Sequence, residues 1–251
     1  MVLYEYPFNE SIRTMLRLEQ LLDRLGQLLP RDAAVDHHFA LATLFETIEV
    51  ASRSDLKADL LKELDRHKTQ LAGYRSNPQV SQRALDEMIG RIEAAYNGLN
   101  QQTGKAGQAL AGNEFLASVR SRIGIPGGTC EFDLPAYHAW QQQDSATRRQ
   151  ALLGWVSTLE PWAQALQLQL QLMRDAGVPH KVYTQGGQFQ QSLPAGRSFQ
   201  LLRLLIDENE GLVPEITGHR LMVSVRLMRS DAEGRLRPAS TDAPFELTLC
   251  G

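Results

Sequence analysis

Leu166-Gln167-Leu168-Gln169-Leu170-Gln171-Leu172 decides where the chain changes character. Read with a period of two, it is a half-buried strand, and the β part of the molecule begins before residue 166. Composition argues the other way. Leu, Gln, Ala and Met are helix formers, and the run holds no β-branched residue. Thr158 can cap, Pro161 suits a first turn, and Ala176-Gly177 is a stop. The run is therefore read as a helix, and the helical part of the chain extends to Gly177.

Toward the N-terminus the same period continues. Asn9 can cap a helix running to about Leu25, and Pro30 ends that region. A second helix is expected over His37–Ala51. Ser54 caps a third, Asp55 to about Tyr74, with Leu56, Leu60, Leu64 and Leu71 on one stripe and His67 among them. Ser81 opens a fourth, with Leu85, Met88, Ile89, Ile92 and Tyr96 inward and Asn97-Gly98 as its end. Residues 100–113 are rich in Gln, Gly and Asn and read as a linker or mobile loop. A short helix over Glu114–Ile123 leads to the Pro126-Gly127-Gly128 turn, and Thr129–Leu134 alternates as a strand does.

Beyond Gly177 the texture turns to strands. Val182–Gln185 and Gln188–Gln191 flank Gly186-Gly187 as a hairpin. Phe199–Asp207, Arg220–Arg229 and Phe245–Cys250 are three more candidates. In the middle one, Leu221, Val223, Val225 and Leu227 face one way, with Arg220, Met222, Ser224, Arg226 and Met228 opposite. The expected fold is α+β: an all-helical domain over 1–177, then a small antiparallel β domain over 178–251, with 129–134 joining its sheet.

Charge narrows the function. In 251 residues, 26 basic side chains meet 29 acidic ones, for a net charge of −3. A nucleic-acid coat or a polybasic membrane binder needs an electrostatic footprint that is missing, and aromatic residues for base stacking are few. No apolar stretch approaches the ~20 residues of a membrane span. MVLYEYPFNE does not read as a signal peptide, and Cys130 and Cys250 stand 120 positions apart. Reduced thiols in the cytoplasm are expected.

Catalytic and cofactor motifs are absent: no G-x-S-x-G, H-E-x-x-H, C-x-x-C or G-x-G-x-x-G occurs. Gly98…Gly104-Lys105 has one residue too many for a phosphate loop, and Ala106 replaces its magnesium-binding hydroxyl. His37 and His38, adjacent on a helix, diverge by about 100° and chelate poorly. No metal and no cofactor is expected. Cys130 with His138 sketches a thiol nucleophile and base, so a cytoplasmic thiol-dependent enzyme is the alternative reading, set against a packed structural cysteine.

Arginine stands out instead. Arg13, Arg17 and Arg24 fall within about 40° of one another on a helical wheel, opposite Met15 and Leu22. Arg120 and Arg122 precede the Pro-Gly-Gly turn, and Arg220 and Arg226 share the open face of a strand. Arginine grips carboxylates bidentately, so such patches fit an acidic protein or peptide as well as a solvated face.

Four blocks in this order resemble the ZapD family of Z-ring-associated cell-division proteins. They are Tyr4–Glu10 with Arg13-Thr14-x-Leu16-Arg17-x-Glu19; Leu60–Arg66; Ile125-Pro126-Gly127-Gly128-x-Cys130-x-Phe132-Asp133-Leu134-Pro135 with His138 and Trp140; and Gly218-His219 with the terminal Phe245-Glu246-Leu247…Cys250. The resemblance implies a non-enzymatic cytoplasmic protein at the division site, a symmetric homodimer that binds the C-terminal tail of the GTPase FtsZ and bundles its filaments. By position it implies tail-binding roles for Arg13, Arg17, Arg53, Arg120, Arg122 and Arg226, with His138 beside them. The pattern departs at Met222, where it places a basic residue that Arg220 replaces. The 100–113 loop is also poorly matched.

Overall fold

The computed structural model describes residues 1–52, 55–194 and 196–251. In chain order these form β1 (Val2–Pro7), α1 (Glu10–Leu28), α2 (Ala34–Ser52), α3 (Leu56–Ala72), α4 (Gln82–Asn100), α5 (Glu114–Ile123), α6 (Pro135–Gln141), α7 (Ser145–Ser157), α8 (Glu160–Asp175), β2 (Val178–Tyr183), β3 (Gln188–Ser192), β4 (Leu201–Ile206), β5 (Val213–His219), β6 (Met222–Ser230), β7 (Leu236–Pro238) and β8 (Pro244–Cys250). The fold is α+β. Two compact units divide it, Thr14–Gln169 and a composite of Met1–Arg13 with Leu170–Gly251, and the divisions fall inside α1 and α8.

The Leu-Gln run is helical. In α8 the side chains of Trp162, Ala165, Leu166, Gln169, Leu170 and Met173 are buried, at helical spacings of three and four. A helix sends alternate residues to nearly opposite sides, so Gln169 is carried inward while Gln167 and Gln171 stay exposed. Thr158 closes α7 rather than opening α8: its Oγ1 donates to the Trp155 carbonyl at 2.7 Å.

Within Thr14–Gln169, α2 is enclosed most completely, with Ala40, Leu41, Leu44, Phe45 and Ile48 all buried. Helices α3 and α4 pack side by side, and Leu56, Leu60 and Leu64 of the first and Leu85, Ile89 and Ile92 of the second are buried. Ser81 caps α4 by accepting from Ala84 N. The expected Ser54 cap lies outside the described residues. Helix α7 is additional to the sequence reading; Asp144 caps it, accepting from Thr147 N at 2.9 Å. Segment 129–134 is not a strand but consecutive turns, closed by Asp133 and Leu134 N–H groups donating to Cys130 O. Its alternating pattern lacks a neighbouring strand to pair with.

The β unit is a sandwich of two antiparallel sheets. One has the order β1-β4-β8-β2, the other β3-β6-β5, with β7 pairing to the end of β6. Leu202, Leu204, Ile206, Val223, Val225, Leu227, Phe245 and Leu247 fill the space between them. The first strand comes from the start of the chain, where the sequence reading had only helix: Val2 pairs with Ile206 and Pro7 with Leu201. Tyr4, Tyr6 and Phe8 pack on the core, while Glu5 points away and is held by Arg174 (2.9 and 2.7 Å) and Arg203 (3.0 Å). The hairpin expected around Gly186-Gly187 is also revised. Apart from one bridge between Gln185 and Gln188, β2 pairs with β8 and β3 with β6. Thr184 anchors the end of β2 by accepting from Ala243 N, so the chain crosses between sheets there. Gly187, at φ +73°, allows that crossing, because a Cβ would overlap the Ala239 carbonyl.

Candidate partner-binding surface

Helix α1 begins where Asn9 Oδ1 accepts from Ile12 N at 2.9 Å, and Ile12, Met15, Leu18, Leu21 and Leu25 fix its buried side. This leaves Arg13, Arg17 and Arg24 outward, as the wheel requires, but the three are not equivalent. Arg13 Nε donates to Glu10 at 3.0 Å, and Arg24 Nη1 donates to Glu46 of α2 at 3.1 Å. Arg17, one turn beyond Arg13, is exposed and has no carboxylate within ion-pair distance among the described residues. Arg53 lies outside the described residues.

Helix α5 starts at the Asn113 cap, and buried Leu116 and Val119 turn Arg120 and Arg122 outward in the last turn. Arg122 lies 3.7 Å from Asp133, while Arg120 is exposed without a carboxylate partner among the described residues. The turns that follow are tight: a Cβ on Gly128 would meet the Arg122 carbonyl at 2.7 Å. They lead to α6, where buried Tyr137 and Trp140 leave His138 exposed. Cys130 Sγ and His138 make no hydrogen bond with each other among the described residues, and Cys130 is half-buried in the turns rather than packed in a strand. Cys250 is buried, which pushes its thiol pKa up, and its Sγ lies 3.8 Å from the Arg174 carbonyl.

On the second sheet, β5 is a strand additional to those expected from the sequence, and it contains Pro214 and Gly218. Its pairing with β6 moves Arg220 into the two-residue turn between His219 and Met222, off the strand face expected for it. Arg226 does stand on that open face, opposite Glu215 at 3.7 Å. Among the described residues no cluster of His, Cys, Asp and Glu could hold a metal, and no helix is long and apolar enough to cross a membrane.

A family model described as "ZapD: Cell division protein" matches residues 16–226. Along its whole length the chain is 51% identical to the cell division protein ZapD of Cupriavidus necator, and the match covers 99% of that protein. For ZapD of Ralstonia pickettii the identity is 49%, again over 99% of the relative. The chain belongs to the ZapD family of cell division proteins.

The blocks that resemble ZapD proteins have separate physical tasks here. Tyr6 Oη in β1 donates to Gly218 O and accepts from Gly218 N, at 3.3 and 3.2 Å. A Cβ on Gly218 would meet the Phe8 ring at 2.7 Å, so the first and last blocks are fitted to each other. The third block supplies an aromatic cluster: Tyr137 and Trp140 stack at 5.7 Å, with Phe115 and Trp155 against them. Burial holds the Tyr137 hydroxyl neutral, and it lies 2.7 Å from His38 Nδ1.

Two further arginines of this ZapD chain escaped the sequence reading. Arg148 of α7, only 6% exposed, donates Nε to His37 Nδ1 at 3.0 Å. Its remaining groups reach the carbonyls of Gln141 (3.1 Å), Gln143 and Asp32 (2.5 Å). Arg149 binds the carbonyls of Leu29 and Pro30 and the Asp32 carboxylate. Together they clamp the turn between α1 and α2. Burial, and then the Arg148 charge, push the His37 pKa down. The Gly104-Lys105 near-motif is no phosphate loop either, since Gly98 lies inside α4.

Proposed function

We propose that this chain binds the acidic C-terminal tail of FtsZ and, as a symmetric homodimer in the cytoplasm at midcell, cross-links FtsZ filaments. Arg17 carries the reading: an exposed guanidinium with no carboxylate partner among the described residues, one turn from Arg13, in a member of a cell-division family. An arginine left unmatched on a surface is ready to grip a partner's carboxylates at no cost of breaking an internal pair. Arg13, Arg53, Arg120, Arg122, His138, Arg220 and Arg226 are proposed to extend the contact or steer the tail toward it. Bridging needs two sites per particle, which a twofold axis supplies, and weak single sites add along a polymer. The division of labour proposed is between the helical unit Thr14–Gln169 and the β unit formed by Met1–Arg13 with Leu170–Gly251, rather than a split at Gly177, and neither unit is proposed to be catalytic.

Co-sedimentation with FtsZ polymer tests this. Pelleting and bundling are expected with intact FtsZ and absent with FtsZ lacking its tail. Equal pelleting with both would refute tail binding, and a strictly monomeric protein at micromolar concentration would refute cross-linking.

A further inference from the structure

Residues 100–113 are read from the sequence as a linker or mobile loop, but Asn100 ends α4, and the rest is tied down and forms one wall of an open recess. Lys57 Nζ holds the start of the segment, donating to the carbonyls of Asn100 (3.1 Å) and Gln102 (2.6 Å). Ala106 is buried, and Gly107 at φ +76° lies so close to α2 that a Cβ would meet Ile48 at 2.7 Å. Residues 108–110 then make a turn of 3₁₀ helix before the Asn113 cap of α5. Between this segment, α2 and α5 lies a cavity of about 600 Å³, in the size range of ligand sites.

The chemistry of the lining is unusual for a protein with net negative charge. Phe45, Ile48, Leu110 and Leu116 give it an apolar floor. Exposed Lys105 and Arg120 also line it, and among the described residues neither has a carboxylate partner and no acidic side chain is in the lining. An apolar floor wants an apolar side chain removed from water, and two unmatched cations want carboxylates. A nucleic acid would use the cations but waste the floor; a neutral apolar ligand would do the reverse. We propose that this recess seats an apolar side chain of an acidic peptide, with Lys105 and Arg120 holding carboxylates that flank it. The proposal rests on the tail-binding reading above and deepens it: an arginine patch alone selects charge, whereas the recess selects an apolar residue within an acidic context.

The test uses the full chain and a fluorescent FtsZ tail peptide, followed by anisotropy. Ala117 is exposed and lines the recess, so Ala117→Trp fills it without touching a charge or the core. Binding is expected to weaken at least tenfold in Ala117→Trp and in Lys105→Glu, with the thermal midpoint kept. A peptide whose aliphatic and aromatic residues are replaced by serine is expected to lose a similar factor on the unmodified protein and nothing further on Ala117→Trp. Normal tail binding by Ala117→Trp overturns the recess and leaves the arginine reading standing. No tail binding by the unmodified protein overturns both. As a second readout, the anionic aromatic dye anilinonaphthalene sulfonate is expected to brighten with the unmodified protein, less with Ala117→Trp, and to be displaced by the peptide. Dye that occupies the recess but resists the peptide would mark a small-molecule site and overturn the peptide assignment.

Discussion

Two regions of the helical unit use the same side chain for opposite ends. At the turn between α1 and α2, Arg148 and Arg149 are engaged by the carbonyls of Leu29, Pro30, Asp32, Gln141 and Gln143, by His37, and by the Asp32 carboxylate. On the outer faces of α1 and α5, Arg17 and Arg120 have no carboxylate partner among the described residues. The contrast teaches that an arginine's type and spacing say little about its role, whereas what already satisfies its donors says a great deal. A guanidinium whose donors already bind several acceptors of its own chain is mortar; one that faces no carboxylate of its own chain is a hand held out. Arg13, Arg24 and Arg226 lie between, each facing one carboxylate.

The sharpest way to break this comparison is to empty the clamp. Arg148→Met removes the buried guanidinium and strands three carbonyls and His37 Nδ1, so it should cost about 2–4 kcal/mol of folding stability, read as a fall in urea midpoint. A shift indistinguishable from that of a surface substitution would make Arg148 another outward arginine. Arg17→Glu should do the reverse, keeping the thermal midpoint and helical spectrum while weakening FtsZ-tail binding about ten- to a hundredfold. Arg13→Glu and Arg24→Glu, which first give up Glu10 and Glu46, should be milder in that order. Unchanged bundling by the folded Arg13→Glu/Arg17→Glu double variant would move the site to Arg120 and Arg122.

The clamp also carries a pH signature. His37, His38 and His67 all have pKa values pushed down by burial, so the folded state keeps them neutral. In the unfolded chain they protonate near about 6.5. Below that pH the unfolded state takes up protons that the folded state refuses, so stability present above it is lost as the pH falls. The thermal midpoint should therefore drop between about pH 7.5 and pH 5.5, and His37→Asn, which keeps an acceptor for Arg148, should flatten the slope. An unaltered slope would place the titration elsewhere. Smallest of all, Arg226→Ala, whose side chain is half exposed and paired with Glu215, should change stability by no more than about 0.5 kcal/mol and tail binding by a few-fold at most.

What the sequence could disclose follows the physics of each element. Long amphipathic helices announce themselves: α1, α3 and α4 carry stripes that no other structure satisfies, and the helix formers of α8 outweigh its misleading alternation. β1 and β5 do not, because a six- or seven-residue strand is specified by its neighbours. Val2–Pro7 has its pairing partner about two hundred residues away, and Pro214 and Gly218 look like breakers until Phe8 and Tyr6 are seen to need the missing Cβ. The arginine positions were legible as positions. Their pairing was not, since carbonyl acceptors at 32, 141 and 143 leave no mark in composition. The recess left one faint trace, the glycines at 104 and 107 around a lysine in a loop otherwise read as linker.

The placement of β1 has a consequence in time. During synthesis Val2–Pro7 is made about two hundred residues before the strand it joins, Leu201–Ile206. At about 5–20 residues per second that interval is about 10–40 s. The segment Thr14–Gln169 is complete well before it ends, so the helices can close while the opening strand, with Tyr4, Tyr6 and Phe8, stays unpaired. Those aromatic side chains spend the wait without the core built for them. Among the described strands, Val2–Pro7 is thus the one that waits longest for its partner.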